Sequence, residues 1–159
     1  MLATPFLRKE IDMSSVKDLM SKDHDRLDNI FLSFQKTKAG GLEQAKTLFS
    51  EFDSGLRRHI VWEEEILFPA FEEATGMKNS GPTGVMRMEH QQIKGFINQI
   101  REKLQKKDIE TEEAEEGLIR VLTSHNQKEE TILYPWIDRS LSENVRNDMI
   151  VKMENTALQ

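Results

Sequence analysis

The stretch HIVWEEEILFP, residues 59–69, places His59 four residues ahead of Glu63 and five ahead of Glu64. Imidazole and carboxylate together hold metal ions inside proteins, and the same spacing serves surface ion pairs, so this motif alone fits either use. The chain has four histidines: His24, His59, His90 and His125. His24 and His90 are 66 residues apart, and so are His59 and His125. That shared offset aligns MSKDHDRLDNIF (20–31) with MRMEHQQIKGFI (86–97), and HIVWEEEILFP with HNQKEETILYP (125–135). In the second pair the histidine, two glutamates, Ile, Leu and Pro coincide, and Phe68 meets Tyr134. A period this long that occurs twice points to a duplicated helical hairpin rather than a solenoid.

On a helix, residues i and i+4 lie about 40° apart around the axis and about one turn apart along it. His59 with Glu63, and His125 with Glu129, therefore project together. Glu64 and Glu130, at i+5, stand about 140° away and are the poorer ligands on this geometry. Each half contributes one lone histidine and one His-x-x-x-Glu. Turned to a common interior, four imidazoles and two carboxylates make a pocket for two metal ions, each taking two imidazoles from one half, with both carboxylates spanning the pair. The donors suit iron, with zinc or manganese as alternatives. Two nitrogens, two carboxylate oxygens and one solvent-derived bridge leave about one open position on each octahedral ion, where a small molecule binds. Without metal, six ionisable groups in an apolar interior would be costly to bury.

The elements that must carry these residues are helical, because apolar residues recur at three- and four-residue steps nearly throughout. A first helix, capped by Ser14 or Ser15, carries Val16, Leu19, Met20, Leu27, Ile30, Phe31 and Phe34 and ends near Lys38, before Gly40-Gly41. A second runs from about Leu42 to Ala74, with Leu48, Phe49, Phe52, Leu56, Ile60, Ile66, Leu67 and Phe71 on its buried side. TGMKNSGPTG (75–84) is a loop. A third helix is marked by Val85, Met86, Ile93, Phe96, Ile97, Ile100 and Leu104, and a fourth begins around Ile109 and passes Leu118, Val121, Leu122 and Ile132. Pro69 and Pro135 fall late in long helices, where a kink or a helix end is expected. The expected fold is all-α: an antiparallel four-helix bundle of two pseudo-twofold-related hairpins, core 15–138, within one domain spanning 1–159. Residues 141–156 add a short C-terminal helix with Val145, Met149, Ile150 and Met153 on one side, packing on the bundle or serving a protein partner.

Composition bounds the rest. The 159 residues suit one domain, and a net charge of −6 argues against nucleic acid or an anionic membrane surface as partner. Cysteine is absent, which excludes disulfides and thiolate chemistry by this chain. Neither a signal-peptide run in MLATPFLRKEIDMSS nor a stretch of about 20 apolar residues occurs, so a cytoplasmic protein is expected. ETEEAEE (110–116) and REKLQKK (101–107) read as solvated helix faces, and SGPTG (80–84) as a turn without the spacing of a phosphate-binding loop.

These residues together resemble the hemerythrin-like family, or HHE cation-binding domain, whose pattern H…HxxxE…H…HxxxE/D sits on a four-helix bundle holding a non-haem di-iron centre. The resemblance spans about Ser15 to Asp138 and includes the E-x-x-L-F/Y-P continuation in EEILFP and EETILYP. It implies that His24 and His59 serve one iron, His90 and His125 the other, and Glu63 and Glu129 bridge, with an oxo or hydroxo bridge between the two ions. Oxygen-carrying members use a fifth histidine four residues after the third. Here that position is Lys94, which speaks against a carrier of that type. The set of four histidines and two glutamates is similar to that of the repair-of-iron-centres proteins, which usually add a cysteine-containing N-terminal domain; the sequence here has no cysteine.

The resemblance implies a protein that binds or processes oxygen, peroxide or nitric oxide in nitrosative or oxidative stress or iron-centre repair. A non-enzymatic oxygen or iron sensor, oxygen-binding module, or iron store or donor is the competing reading, and a structural zinc site is a third. Asp23 and Glu89, which precede the lone histidines, either support the ligands from behind or are solvated. Asp28, four residues after His24, is a candidate extra ligand. Tyr134 and Trp62 either tune the site or fill the core, and Met20 and Met86 are expected to line the cavity.

Overall fold

A computed structural model of the chain describes residues 15–78 and 80–158. Ser14, the N-terminal stretch 1–14 and Asn79 of the expected loop lie outside the described residues.

Helix α1 (Val16–Thr37) starts at Ser15, whose hydroxyl accepts the Asp18 N–H at 3.2 Å. Its first amides have a second partner from the far end of the chain: the Asp138 carboxylate accepts Val16 N–H at 2.8 Å and Lys17 N–H at 3.1 Å. Those donors have no partner within the helix, so the carboxylate satisfies them and meets the positive end of the helix dipole. After Gly41 come α2 (Leu42–Val61), a π-helical stretch π1 (Trp62–Leu67) and α3 (Phe68–Thr75), which run on without a break. Gly76, at φ 72°, closes this rod in the left-handed conformation with its N–H on the Glu72 carbonyl. The second hairpin repeats the plan with α4 (Pro82–Gln105), α5 (Glu112–Lys128), π2 (Glu129–Leu133) and α6 (Tyr134–Ser140). A short α7 (Glu143–Glu154), capped by Ser142, follows. Helix α1 packs along α2 and α4 along α5, while α2–α4 and α1–α6 contacts join the hairpins. The described residues thus form an all-helical bundle with no strand.

Two apolar clusters fill the interior, one on each side of the histidines. The first includes Leu27, Phe31, Phe34, Phe52, Leu56, Ile93, Ile97 and Leu118. The second includes Met20, Trp62, Leu67, Phe68, Met86, Leu133, Tyr134 and Ile137. Burying each of these side chains contributes about 1.5–3 kcal/mol. Along α1 the order is Met20, His24, Leu27; along α4 it is Met86, His90, Ile93. Each lone histidine is thereby clamped between the two clusters.

The expected second helix is one rod, but Pro69 neither ends nor replaces it. In both hairpins a π stretch precedes the proline, and the backbone N–H of Phe68 reaches the Glu63 carbonyl as that of Tyr134 reaches Glu129, an i→i+5 bond. Proline has no N–H and crowds the carbonyl four residues before it, and the wider turn takes up that conflict. The fourth helix begins at Glu112 rather than near Ile109, which sits exposed in the connection. Val85 and Ile132, expected on buried faces, are also exposed. Ile132 lies in π2, whose extra residue per turn shifts the phase of the buried face. In α7, Met149, Ile150 and Met153 are buried while Val145 is exposed, and the Trp62 indole donates to the Met153 carbonyl at 3.0 Å. The terminal helix therefore packs on the bundle.

Candidate metal centre

Helix α1 supplies His24, α2 His59, α4 His90 and α5 His125, while Glu63 and Glu129 open the two π stretches. All six are buried, the two glutamates completely. The histidines come together in pairs, with ring centroids 4.7 Å apart for His24 and His59 and 4.9 Å for His90 and His125. Two overlapping sets of potential metal donors result: His24, His59, Glu63 and Glu129, and His90, His125, Glu63 and Glu129, each with donor atoms within 4.8 Å of one another. Glu63 divides its oxygens between the sets, Oε1 lying 3.4 Å from His59 Nε2 and Oε2 3.0 Å from His90 Nε2. Glu129 faces both through one oxygen, with Oε1 3.4 Å from His24 Nε2 and 3.2 Å from His125 Nε2.

Behind the rings stands a ring of four acids. Asp23 lies 2.8 Å from His59 Nδ1 and Glu89 2.8 Å from His125 Nδ1, each within its own hairpin. Glu64 lies 2.7 Å from His90 Nδ1 and Glu130 2.8 Å from His24 Nδ1, each reaching across to the other hairpin. An ionised carboxylate only accepts, so every Nδ1 carries a proton and donates it outward. Every Nε2 then faces the interior, the arrangement that orients an imidazole for a metal and raises its basicity.

A donor set that fits metal should leave polar atoms without protein partners, and it does. Glu63 Oε2, His90 Nε2 and both carboxylate oxygens of Glu129 are buried and have no hydrogen-bond partner, which is costly unless a cation meets them. The electrostatics agree. Burial opposes charge on His59, but the Glu63 charge and the Asp23 hydrogen bond outweigh it and push its pKa up to about 10. His90, desolvated but facing the Glu63 carboxylate and hydrogen-bonded to Glu64, is pushed up to about 9, and His125 is raised by Glu129 against the same burial penalty. Burial works to raise Glu63, yet the His59 charge holds it well below the usual carboxylate range. The metal-free interior thus keeps protons where its acids call for positive charge.

The two sets are unequal. Tyr134 is fully buried, and its hydroxyl donates to Glu63 Oε1 at 2.5 Å while lying 3.3 Å from His59 Nε2 and 3.4 Å from His24 Nε2. Burial, then the charges of Glu129 and Glu63, push its pKa well above that of a free phenol. Its repeat counterpart Phe68 stacks on His90, 6.1 Å between centroids and 5° between planes, and offers no donor. A cavity of about 330 Å³ opens to solvent along α1 and α5, with Asp25, Asp28, Asn126 and Glu130 among its polar lining, Phe31 and Phe52 within, and His24 in its wall.

The structure gathers all six predicted ligands, and it places Asp23 and Glu89 behind imidazoles rather than in solvent. Asp28 belongs to neither donor set and stands exposed in the cavity wall. Glu64 and Glu130, set aside on α-helical geometry, support the two lone histidines. Their signal was present in the repeated Glu-Glu doublet, but the π turn and the partner helix it faces were not. Trp62 is joined to α7 through Met153 and its ring lies 6.1 Å from that of His59. Met20 and Met86 are buried in the second apolar cluster.

A helical bundle with two His/Glu donor sets in its interior defines a cation-binding helical protein. The chain belongs to the hemerythrin family, matching the Hemerythrin HHE cation binding domain over residues 15–137. It is 26% identical over 144 residues to an uncharacterized hemerythrin-like protein of Schizosaccharomyces pombe, covering 91% of this chain and 70% of that one. No solved structure matches it. Among the described residues no helix is long and apolar enough to cross a membrane.

Proposed function

We propose that this chain is a non-haem di-iron protein that binds or processes a small redox ligand, oxygen, peroxide or nitric oxide, in stress response or iron-centre repair. The observation that carries the proposal is the pair of four-donor sets sharing Glu63 and Glu129, with buried donor atoms that no protein group satisfies. His24 and His59 would hold one ion, His90 and His125 the other, and Glu63 and Glu129 both. Paired iron ions would supply redox chemistry towards the small ligand at open coordination positions. The protein's part is to orient the imidazoles through Asp23, Glu64, Glu89 and Glu130, to exclude bulk water with the two apolar clusters, and to admit a small molecule through the cavity beside His24. The cytoplasmic setting expected from the sequence is retained. The test is metal analysis of purified protein with absorption spectra in reduced and oxidised forms, each with and without oxygen and nitric oxide. Two iron ions per chain and iron-linked spectral changes are expected; one zinc ion and no iron would overturn the proposal.

A second reading, an oxygen or iron sensor or iron donor acting through a protein partner, is favoured by one connection. Trp62 packs near His59 and donates to the Met153 carbonyl, so a change at the centre has a short path to α7. Deleting residues 141–159 discriminates. Loss of partner binding with an unchanged metal spectrum supports this reading, and unchanged partner binding removes it.

A further inference from the structure

Twofold-related halves should present two equivalent metal positions, but Tyr134 breaks that equivalence at the level of a donor atom. Its hydroxyl oxygen stands 2.5, 3.3 and 3.4 Å from Glu63 Oε1, His59 Nε2 and His24 Nε2. Donors sharing one ion at bond lengths of about 2.0–2.2 Å lie about 3 Å apart when at right angles. The candidate donors keep the same spacing among themselves, for instance 3.4 Å for His59 Nε2 to Glu63 Oε1 and 3.4 Å for His24 Nε2 to Glu129 Oε1. The phenol oxygen therefore stands at donor-to-donor distances from both histidine nitrogens, and within hydrogen-bond distance of Glu63. At the other position Phe68 stacks on His90 and supplies carbon only.

We infer that Tyr134 is a fifth protein ligand to the ion held by His24, His59, Glu63 and Glu129, so that the two ions differ in their number of protein donors. This rests on the di-iron reading. As the oxygen–iron bond forms, the phenol O–H bond breaks and the proton leaves with water; no electron is transferred. Ferric iron at that place favours the deprotonated oxygen, as a bound cation does for other acidic ligands. The inference also explains why the hydroxyl belongs in a fully buried place that a phenyl ring fills equally well in the other half.

Tyr134 is the only tyrosine in the chain, so any phenolate signal in the loaded protein is its own. The experiment is iron loading of the full chain, oxidation, and visible absorption with resonance Raman scattering. The expected result is a phenolate-to-iron charge-transfer band carrying phenol-ring vibrations. Tyr134→Phe should lose the band completely while still binding two iron ions, since Phe68 shows that the fold accepts the ring without its hydroxyl. Two bound ferric ions without a phenolate signature in the unaltered protein would overturn the inference and leave the di-iron reading standing, reducing Tyr134 to a hydrogen-bond donor to Glu63. Failure to take up iron at all would overturn both.

Discussion

His90 Nδ1 and Glu64 Oε1 lie 2.7 Å apart although they belong to opposite hairpins. The matching pair, His24 and Glu130, makes the same cross-brace in the other direction at 2.8 Å. The lone histidine of each hairpin is thus aimed by a glutamate of the other, so docking of the hairpins and orientation of the donors are one event.

Replacing Glu64 or Glu130 by Gln keeps the shape of the side chain and an accepting oxygen, but removes the charge that makes the imidazole basic. Metal affinity should fall by about 10–100-fold for each replacement. Chelator competition checks this, with circular dichroism expected to be unchanged because both glutamates are partly exposed. Unaltered affinity would show that the braces do not act on the donors.

Metal uptake should tighten as pH rises, because His59 and His90, with pKa values pushed up to about 10 and about 9, must each give up a proton to bind. Proton release on metal addition, followed with an indicator dye, measures it. The sign for the metal-free protein is opposite. Folded-state pKa values above the unfolded value of about 6.5 contribute stability that is fully present below that pH. That contribution is lost as pH rises through about 9 to 10. Thermal unfolding of metal-free protein should therefore worsen from neutral to alkaline pH, with the loaded protein less sensitive.

Gly117 marks a tight crossing between α4 and α5. A Cβ there would stand 2.6 Å from Phe96 Cζ and 3.0 Å from Cδ1. Gly117→Ala gains helix propensity but forces the ring aside, and a net loss of about 1–3 kcal/mol is expected from denaturant unfolding.

Asp138→Ala should cost about 1–2 kcal/mol, since Val16 and Lys17 N–H lose the carboxylate that α6 extends to them. Asp138→Asn, which retains an accepting oxygen, should recover part of the loss in the same unfolding measurement.

The sequence by itself determined the helical bundle, the duplication and the six candidate ligands. Amphipathic periodicity reports which face each helix buries, and His24, His59, His90 and His125 recur at an offset that only a repeated unit produces. Pro69 and Pro135 were visible as conflicts with a regular helix, but their resolution was not. A proline can kink, end or widen a helix, and the π turns from Glu63 to Phe68 and from Glu129 to Tyr134 are one of these solutions, selected by packing. The tertiary structure alone decided what lies behind each imidazole. Glu64 and His90, or Asp138 and the start of α1, are far apart along the chain and meet only when the helices dock. It also decided that Tyr134 and Phe68, interchangeable as buried aromatics in the pattern, differ by one hydroxyl aimed at Glu63. Periodicity reports burial, which the two rings share, whereas the direction of a polar atom depends on the neighbours around it.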